Sequence, residues 1–404
     1  MNILLVHNRY QLPGGEDTVF HNEQRLLEEC GYRVRTYTRD NNEIRDYAVW
    51  RKMLLPFATI FNPRTYREIR RILRREQIDL VHVHNTLTLI SPAVFYAAVR
   101  EGVPVLQTLH NFRMQCPNGV FYRNGHICED CVQKGLLCSV RYACYRSSRI
   151  QTAVAAWNTW FHRRTGIWRK VHFICLTEFN KKKLLELNTP SPANQCGKQI
   201  IDPEKVRVKP NFTWDPGIEP VPFEQREGFL YAGRLERVKG IDILLKTWAM
   251  MARESHAQIP RLTICGTGPL EDRCRAYIRK HHLEKEVTFT GQIAREELLQ
   301  KMAGAMALIV PSRLYEGFPM TVTEALSTGT PAIVPAYGNA ADIVNEGKSG
   351  LTFDGTAKAL KDILQRIVDG EMVFQPGVVK EEYQKHYTPE RNIEMMREIY
   401  LVCR

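Results

Sequence analysis

Short apolar runs along the chain alternate with amphipathic stretches, a pattern typical of a parallel β-sheet with helices on both faces. The clearest unit spans residues 307–326, with the sequence ALIVPSRLYEGFPMTVTEAL. Its apolar run at 308–310 predicts a buried strand, and a helix is predicted to begin near Met320, where residues 321–324 match a capping box. The loop between strand and helix opens at the carboxyl end of the strand, where open α/β sheets bind ligands. This stretch is therefore the first candidate for a binding site.

The same strand–loop–helix pattern recurs in two series that a proline-rich stretch separates. Strands are predicted at residues 3–6, 34–37, 78–84, 103–109, 171–177 and 206–212 in the first series, and at 228–232, 262–265, 287–292, 308–310, 331–335 and 350–353 in the second. A chain of 404 residues is long enough for two domains with separate cores. We predict two Rossmann-like α/β domains at 1–212 and 228–385, a linker at 213–227 and a final helix within 386–404.

Four charged side chains lie at predicted loop–helix junctions of the second domain. Glu316 precedes the helix and Glu324 lies in its first turns, so a rise of about 1.5 Å per residue places their carboxylates on the order of 10 Å apart. That span suits a ligand with hydroxyls at both ends and a phosphate between them, resting on free N–H groups of the helix. Arg234 and Lys239 follow a predicted strand and can grip a phosphate. A solvated loop acid and a helix cap are the alternative interpretation of the two glutamates.

These positions carry a resemblance to a known family. The E-x7-E spacing from Glu316 to Glu324 with its GFP and EAL surroundings, and the G-R-x4-K-G pattern of residues 233–240, closely resemble the retaining, metal-independent GT-B glycosyltransferases of family 4. The resemblance covers almost the whole chain. It implies an acceptor-side first domain and a donor-nucleotide second domain facing a cleft, with a last helix that crosses back to the first domain. It also implies transfer of a sugar from a nucleoside-diphosphate sugar to an acceptor hydroxyl, with retention and with no cofactor for catalysis.

The resemblance assigns roles within the second domain. Arg234 and Lys239 would hold the donor diphosphate in place of a metal cation, Glu324 the ribose, and Glu316 the sugar hydroxyls at the catalytic centre. The remaining donor-binding candidates are Gly233, Gly266, Gln292, Ile293, Gly317 and Phe318. No carboxylate is clearly placed as a nucleophile. This favours front-face attack, in which the leaving phosphate receives the proton of the acceptor.

Two candidates lie in the first domain, each with a plainer alternative. The pair Gly14 and Gly15 precedes the first predicted helix, where backbone N–H groups can approach an anion, although a tight turn would use the same residues. His110 follows the strand at 103–109, at the sheet edge where ligands bind, although a lone histidine is more often structural. The resemblance gives the glycines a role at the phosphates and transferred sugar, and makes His110 a catalytic candidate near the anomeric carbon.

Cysteines cluster in residues 112–148, although the chain has an odd total of eleven and nothing indicates secretion. Cys116, Cys128, Cys131 and Cys144 could form a structural zinc site, because a CxxC pair and two further thiolates make a tetrahedral set. Free thiols, a disulfide or a labile metal are the alternatives. The segment resembles an insertion found in a bacterial subgroup of the family that is usually tied to surface-polysaccharide assembly. That resemblance does not extend to zinc.

Charge and aromatic residues indicate an anionic partner. The net charge is +12, and no acidic residue occurs in 132–177, where basic residues alternate with tyrosine and tryptophan. Such a stretch suits an anionic membrane surface or a polyprenyl-diphosphate-linked saccharide acceptor, whereas a helix pair with tryptophans inside and arginines outside would need neither. A basic, arginine-rich helix at 64–75 has the same two interpretations. The absence of a long apolar run and of a signal peptide predicts a cytoplasmic protein, peripheral to the inner membrane face.

Two other functions remain open from the sequence. A nucleotide-sugar epimerase of the same fold would form a new sugar nucleotide without an acceptor. A zinc-containing nucleic-acid-binding protein would use the basic, cysteine-rich first domain, but it leaves the charged pairs of the second domain without a role. The identity of the donor base, sugar and acceptor, and the oligomeric state, is not encoded in these motifs.

Overall fold

The computed structural model describes residues 1–11, 14–192, 194, 197–254 and 259–403. The chain forms two compact units, the first of residues 1–123, 128–210 and 392–404, and the second of residues 124–127 and 211–391. Each unit is organised around a six-stranded parallel sheet with helices, which confirms the predicted pair of doubly wound α/β folds.

The first half of the chain contains eight strands and eight α-helices among the described residues. The strands are β1 (Asn2–Arg9), β2 (Arg33–Asp40), β3 (Leu80–Asn85), β4 (Val105–Leu109), β5 (Tyr122–Arg123), β6 (His126–Ile127), β7 (His172–Cys175) and β8 (Val206–Val208). The helices are α1 (Gly15–Glu29), α2 (Val49–Ile60), α3 (Pro63–Glu76), α4 (Ala93–Glu101), α5 (Asp130–Gln133), α6 (Leu137–Arg141), α7 (Arg149–Thr165) and α8 (Glu178–Leu185). Six strands form the parallel sheet in the order β2-β1-β3-β4-β7-β8.

The core of the first unit follows from strands that are apolar along most of their length. The four aliphatic residues 3–6 of β1 are fully buried, as expected for a parallel sheet covered on both faces. Polar residues replace them where the strands end: His7 and Asn8 in β1, and His84 and Asn85 in β3, are all buried. The strand order reverses between β1 and β3, so these polar ends lie at the switch point of the sheet.

The second half contains six strands and eight α-helices among the described residues. The strands are β9 (Phe229–Ala232), β10 (Leu262–Cys265), β11 (Val287–Gly291), β12 (Ala307–Ile309), β13 (Ala332–Pro335) and β14 (Gly350–Phe353). The helices are α9 (Ile241–Glu254), α10 (Glu271–Lys280), α11 (Arg295–Gly304), α12 (Met320–Ser327), α13 (Asn339–Ile343), α14 (Ala357–Val368), α15 (Pro376–His386) and α16 (Pro389–Val402). The sheet order β11-β10-β9-β12-β13-β14 is the 3-2-1-4-5-6 order of dinucleotide-binding folds, with its switch point between β9 and β12.

The predicted capping box at residues 321–324 is wrong, although α12 begins at Met320 as predicted. The N-cap is Pro319, which has no side-chain hydrogen bond to offer. Thr321 is therefore already inside the helix, and the Thr323 hydroxyl donates to the Met320 carbonyl at 2.9 Å. Glu324 is one turn too far along to cap the N-terminus, which leaves its carboxylate for another partner.

The segments at the predicted boundaries belong to the two units as follows. Thr213, the first residue of the predicted linker, is bonded within the second unit, because its carbonyl accepts from the Tyr383 hydroxyl at 2.8 Å. In the C-terminal part of the first unit, the Tyr400 hydroxyl lies 2.9 Å from Nδ1 of His82. None of the helices in the described residues has the length and apolar character needed to cross a membrane.

Candidate functional site

Lys239 and Glu316 meet where β9 and β12 end, at the switch point of the second sheet. Nζ of Lys239 donates to Oε1 of Glu316 at 2.8 Å and to Oε2 at 2.9 Å. The carboxylate is buried, and Oε1 also accepts a short hydrogen bond from the Ser312 hydroxyl. The ammonium offsets the cost of burying the carboxylate. Two residues that the sequence assigned to one donor molecule are thus bonded to each other.

Two glycines allow the loops around this pair to approach closely. Gly240 has a φ of +73°, and a Cβ there would lie 1.7 Å from the Pro311 carbonyl oxygen. Gly266 has a φ of +134°, and a Cβ there would lie 2.0 Å from the Gly233 carbonyl oxygen. Neither position can accept a side chain without movement of the backbone. The loops after β9, β10 and β12 are therefore packed backbone to backbone beside Lys239.

Arg234, predicted to hold the diphosphate with Lys239, has an exposed guanidinium. Its side chain is 63% exposed, and Nη2 lies 2.6 Å from Oε1 of Glu236. The Tyr231 hydroxyl donates to the Arg234 carbonyl at 2.9 Å, which fixes the backbone of the loop. An exposed ion pair contributes little to stability, so an anionic ligand could recruit this guanidinium at small cost.

Glu324 is held by Arg295, a residue that the sequence interpretation missed. Nε of Arg295 donates to Oε1 of Glu324 at 3.0 Å, and Nη2 donates to the Thr213 hydroxyl at 2.8 Å. Burial raises the pKa of the Glu324 carboxyl, and the Arg295 guanidinium opposes that rise. Arg295 is the first residue of α11, shortly after the predicted nucleobase segment at Gln292 and Ile293. A basic residue shortly after the predicted nucleobase segment was the sequence signal that could have identified Arg295.

The other donor-binding candidates of the second unit lie on the same loops. Gln292 is exposed just beyond β11, and Ile293 is half-buried against the core. The loop at Gly317 is fixed by Asn339, whose Nδ2 donates to the carbonyls of Glu316 at 2.5 Å and of Gly317 at 2.7 Å. Phe318 packs its ring against the core. The contacts predicted between these residues and a donor remain predictions.

Four histidines cluster at the polar strand ends of the first unit. His7 belongs to β1, His82 and His84 to β3, and His110 follows β4 directly. Nδ1 of His84 lies 3.0 Å from Nε2 of His110, and the two rings stack with centroids 5.2 Å apart. Burial lowers the pKa of His7 to about 4, of His82 to about 3, and of His110 well below its usual value. These three imidazoles are therefore neutral near pH 7.

His110 also borders a cavity at the carboxyl ends of β3 and β4. Polar residues contribute much of its lining, among them His84, Asn85, His110, Asn111, Arg113 and Asn158. A concave site with convergent polar groups at the carboxyl ends of parallel strands is where a small polar ligand binds. The candidate His110 is thus part of a pocket wall and not of the sheet interior.

Glu23 of α1 carries a charge inside the histidine cluster. Its Oε1 accepts from Nζ of Lys209 at 2.7 Å, and both side chains are fully buried. Burial opposes ionisation, yet the Lys209 ammonium and the His84 imidazole hold the pKa of the Glu23 carboxyl well below its usual range. Lys209 also donates to Asn392 at 3.2 Å. The sequence interpretation missed this network, because neither Glu23 nor Lys209 lies in a recognisable motif.

The glycine pair lies at the start of α1, and residues 12–13 of its loop are outside the described residues. Gly14 is the N-cap, and its N–H donates to the Asp17 carboxylate at 2.9 Å. Gly15 has open space around its α-carbon. The N–H of Gly14 is therefore already engaged, and an anion would meet the acidic pair Glu16 and Asp17 at this terminus. Burial raises the pKa of the Glu16 carboxyl to about 8, which favours its neutral form near pH 7.

The four candidate zinc ligands are not gathered into one centre. Among the described residues, the group of three or more potential ligands within 4.8 Å of one another is Glu23, His82 and His84, and it includes no cysteine. Cys116 and Cys131 are free thiols that form a hydrogen bond with each other, which lowers the pKa of the Cys116 thiol to about 6 and raises the pKa of the Cys131 thiol. The zinc site stays a prediction.

The buried histidine group does not offer a free metal site either. His82 uses both ring nitrogens, Nδ1 with the Tyr400 hydroxyl and Nε2 with the Thr108 hydroxyl at 2.7 Å. The Lys209 ammonium already neutralises Glu23. The Lys209 ammonium thus occupies the position beside Glu23 where a metal cation would have to bind.

An exposed apolar surface lies on α2 and α7, which pack against each other. On α2, the side chains of Val49, Trp50, Met53, Leu54 and Phe57 are all exposed. On α7, Trp157 and Trp160 are exposed with ring centroids 4.9 Å apart, so the interpretation with tryptophans packed inside is wrong for this pair. Arg163 of the same helix points inward instead, donating to the Met114 carbonyl. We call the exposed residues of the two helices the α2–α7 surface.

Three of the six arginines of helix α3 form ion pairs with acidic residues. Arg64 lies 2.7 Å from Glu68, and Arg70 and Arg74 both pair with Glu101 at 2.5 Å and 2.7 Å. These contacts favour the interpretation of a solvated charged face over that of a basic surface free to bind an anion.

Two doubly wound parallel sheets, each with polar groups at its switch point, define the GT-B class of proteins. The solved structures that resemble the chain have this fold. They include the lipopolysaccharide outer core galactosyltransferase WaaB (TM-score 0.65, 16% identity, covering 100% of this chain and 99% of that one). Another is Anabaena HepE in complex with UDP (TM-score 0.65, 14% identity, covering 99% of both chains).

Sequence comparison identifies the family. The family model described as "Glycosyl transferases group 1" matches residues 219–386, and that described as "Glycosyltransferase Family 4" matches residues 13–193. The chain belongs to the GT-B glycosyltransferases of group 1/family 4.

The curated relatives match over part of their length. Glycogen synthase of Mycobacterium tuberculosis is 31% identical over 140 residues, 33% of each protein. Lipopolysaccharide 1,6-galactosyltransferase of Salmonella typhimurium is 29% identical over 164 residues, 39% of this chain and 44% of that protein. The amylovoran biosynthesis glycosyltransferase of Erwinia amylovora is 24% identical over 229 residues, 54% of each. The matched region thus spans between a third and about half of the length of these relatives.

Proposed function

We propose that the protein transfers a sugar from a nucleoside-diphosphate sugar to an acceptor hydroxyl, with retention of anomeric configuration. The observation that carries the proposal is the ion pair of Lys239 and Glu316 at the switch point of a 3-2-1-4-5-6 sheet, with Glu324 on α12, the helix that follows the loop of Glu316. This arrangement supplies a cation for a diphosphate and two carboxylates for sugar and ribose hydroxyls. Anabaena HepE, which has the same fold, has been solved with UDP-glucose, and this supports a donor of the same chemical class.

The roles follow from the charges. Lys239 and the exposed Arg234 would stabilise the leaving diphosphate, which makes a metal cation unnecessary at that place. Glu324 would accept hydrogen bonds from the ribose, and Glu316 from the transferred sugar. His110 and the loop of Gly14 and Gly15 would contact the sugar from the first unit. The other donor contacts are those predicted for Gly233, Gly266, Gln292, Ile293, Gly317 and Phe318.

The proposed step is a front-face displacement. The bond from the anomeric carbon to the diphosphate oxygen breaks, and the acceptor oxygen forms the new bond on the same face. The proton of the acceptor hydroxyl passes to the leaving phosphate, so no protein carboxylate has to form a covalent intermediate. The positive charges around the diphosphate lower the barrier, because they stabilise the charge that develops there.

The acceptor that we propose is a lipid-linked saccharide of cell-surface polysaccharide synthesis, reached by a protein bound peripherally to the inner membrane face. The support is the α2–α7 surface, whose exposed aromatic side chains suit the headgroup level of a membrane. The basic residues Arg51 and Lys52 on α2 suit anionic lipids. Two of the curated relatives are named for lipopolysaccharide and amylovoran assembly.

A structural zinc ion at Cys116, Cys128, Cys131 and Cys144 is a separate proposal. It is supported by the CxxC spacing and by the contact between Cys116 and Cys131. Metal analysis of protein purified without chelators should give about one zinc per chain. A content well below one equivalent removes the proposal without touching the transferase assignment.

Thermal shift with UDP, GDP and ADP, each alone and as common sugar conjugates, tests the proposed function. A ligand that binds only the folded protein at 100 times its Kd stabilises it by about 2.7 kcal/mol. We expect one base to raise the Tm and the matching sugar nucleotide to be consumed when acceptor is present. Absence of a shift with every nucleotide would contradict the proposal. Formation of a new sugar nucleotide without acceptor would indicate the epimerase instead.

A further inference from the structure

Three side chains of the first unit form a continuous polar chain from the buried core to the candidate His110. Oε2 of Glu23 lies 3.3 Å from Nε2 of His84, and Nδ1 of His84 lies 3.0 Å from Nε2 of His110. Glu23 and His84 are fully buried, whereas His110 is half-buried and borders the cavity. The chain therefore runs from the interior to a pocket wall.

The proton positions along this chain follow from the acceptor at its inner end. Oε2 of Glu23 and Nε2 of His84 are both buried, and neither has a hydrogen bond of standard geometry among the described residues, but the two atoms face each other at 3.3 Å. A carboxylate accepts only, so Nε2 of His84 must carry the proton that faces it. Nδ1 of a neutral His84 is then an acceptor, and Nε2 of His110 must donate to it. Nδ1 of His110 is then unprotonated, and its lone pair can accept a hydrogen bond.

The charged and titratable groups around Glu23, His84 and His110 favour this one placement of the protons. The Lys209 ammonium pairs with Oε1 of Glu23, so the carboxylate has a permanent counter-ion and does not need a charged histidine. His82 lies beside His84, with ring centroids 4.7 Å apart, but it is committed to Tyr400 and Thr108. His7 is committed to Asp17 at 2.8 Å. Neither His82 nor His7 is therefore a competing donor to His110.

We propose that Glu23 and His84 are positioning residues, which fix His110 as the neutral tautomer protonated at Nε2 and present its Nδ1 as a hydrogen-bond acceptor to a sugar hydroxyl. The catalytic part of this inference rests on the proposed function, since it assumes that His110 contacts the transferred sugar. The assignment of the His110 tautomer does not rest on the proposed function. A histidine that is held by a second group has one ring nitrogen defined by the bond that the other makes.

Substitution of Glu23 by Gln should reverse the tautomers. Lys209 would take the amide oxygen, which turns the amide NH₂ towards Nε2 of His84 and makes that nitrogen an acceptor. Nδ1 of His84 then donates to Nε2 of His110, and Nδ1 of His110 becomes protonated. If Glu23→Gln does not fold, His84→Met serves instead. It removes both ring nitrogens of residue 84 and with them the acceptor for Nε2 of His110, which should release His110 into a mixture of tautomers.

The primary experiment is two-dimensional ¹H–¹⁵N NMR of the full chain labelled with ¹⁵N-histidine, near neutral pH and without donor. We expect a bare Nδ1 and a protonated Nε2 for His110 in the wild type, and the reverse in Glu23→Gln. The matched control is His82→Gln, which alters an equally buried histidine of the same strand and should leave the His110 signals unchanged. A protonated Nδ1 in the wild type, or an unchanged tautomer in Glu23→Gln, would overturn the inference.

Steady-state kinetics of the same variants tests the catalytic part. We expect Glu23→Gln to lower kcat by about 10- to 100-fold with little change in donor KM, because such supporting groups usually contribute that much. A reversed tautomer with unchanged kcat would overturn the positioning role. A wild-type protein that is inactive with every sugar nucleotide would count against the proposed function, and the NMR result would still decide the tautomer.

Discussion

The ammonium of Lys239 donates to both carboxylate oxygens of Glu316, at 2.8 Å and 2.9 Å. Each residue belongs to a different motif, 77 positions apart, and each is the charged group that its motif contributes. In the proposed reaction, Lys239 binds the diphosphate and Glu316 binds the sugar hydroxyls. Without the donor, the ion pair keeps both side chains in place at the site, and this ion pair must break when the donor binds.

Replacement of Lys239 by Ala should lower kcat/KM by about 100-fold or more, because one preorganised charge at the leaving group is worth that much. Initial rates with the preferred donor give the measurement. Lys246→Ala is the control, since Lys246 is an exposed lysine of α9. A kcat/KM for Lys239→Ala close to that of the control would refute the assignment, provided that its Tm shows a folded protein.

Replacement of Arg295 by Met should make binding of the nucleoside diphosphate more sensitive to acid. Burial already raises the pKa of Glu324, and loss of the guanidinium that opposes this rise moves the pKa further up. The ionised carboxylate is the form that accepts ribose hydroxyls, so affinity falls as the pH drops through the raised pKa. Calorimetric titration of the nucleoside diphosphate that raises the Tm, carried out across pH, should show the fall beginning at higher pH in Arg295→Met.

Arg275→Met provides the matched control for that experiment. Arg275 forms an arginine–glutamate pair with Glu271 at 2.8 Å on α10, within the same unit. Its loss should leave the pH dependence of nucleoside-diphosphate binding unchanged. Identical profiles for the wild type and Arg295→Met would show that Glu324 does not bind the nucleotide.

Anionic vesicles should retain the protein through the α2–α7 surface. In co-sedimentation with vesicles of phosphatidylcholine and phosphatidylglycerol at low salt, we expect binding that weakens with added salt. Trp50→Ala with Phe57→Ala should reduce it, since these side chains are 63% and 71% exposed. Val373→Ala removes an exposed apolar side chain of the second unit and should have no effect. Recovery of the wild type in the supernatant would exclude the membrane role.

Gly240→Ala should destabilise the second unit far more than Gly370→Ala. Both glycines have nearly the same φ, +73° and +74°, so both substitutions incur about 1–2 kcal/mol for the left-handed conformation. Only at Gly240 would the new Cβ meet another atom, the Pro311 oxygen at 1.7 Å. Urea unfolding should therefore show an additional loss of about 3 kcal/mol or more for Gly240→Ala. Equal losses would mean that the loop relaxes freely.

The sequence predicted the strands and the motif loops because these depend on local patterns. The aliphatic run at residues 3–6 can only be a buried strand, and Gly240 is required where the backbone turns against Pro311. The two family motifs then placed Lys239 and Glu316 at adjacent strand ends. The ion pair between them was not predicted, because the family resemblance gives each residue a role towards the bound donor and no role in the protein without a ligand.

What the sequence could not predict depends on contacts between distant positions. Glu23 and Lys209 are 186 residues apart, and Arg295 and Glu324 are 29 residues apart. No local pattern marks such pairs, and a buried ion pair looks like any other acid and base in the sequence. The capping box failed for a different reason, because the N-cap is Pro319, two residues before the expected cap Thr321. Cysteine spacing alone could not show whether the sulfurs converge.

The first unit is discontinuous along the chain, because residues 392–404 belong to it. Asn392 accepts from the buried Lys209 ammonium, and the Tyr400 hydroxyl bonds to the buried His82 ring. During synthesis on the ribosome, these two partners emerge only after the entire second unit has been translated. The buried side chains of Lys209 and His82 therefore lack these hydrogen-bond partners until α16 has been synthesised.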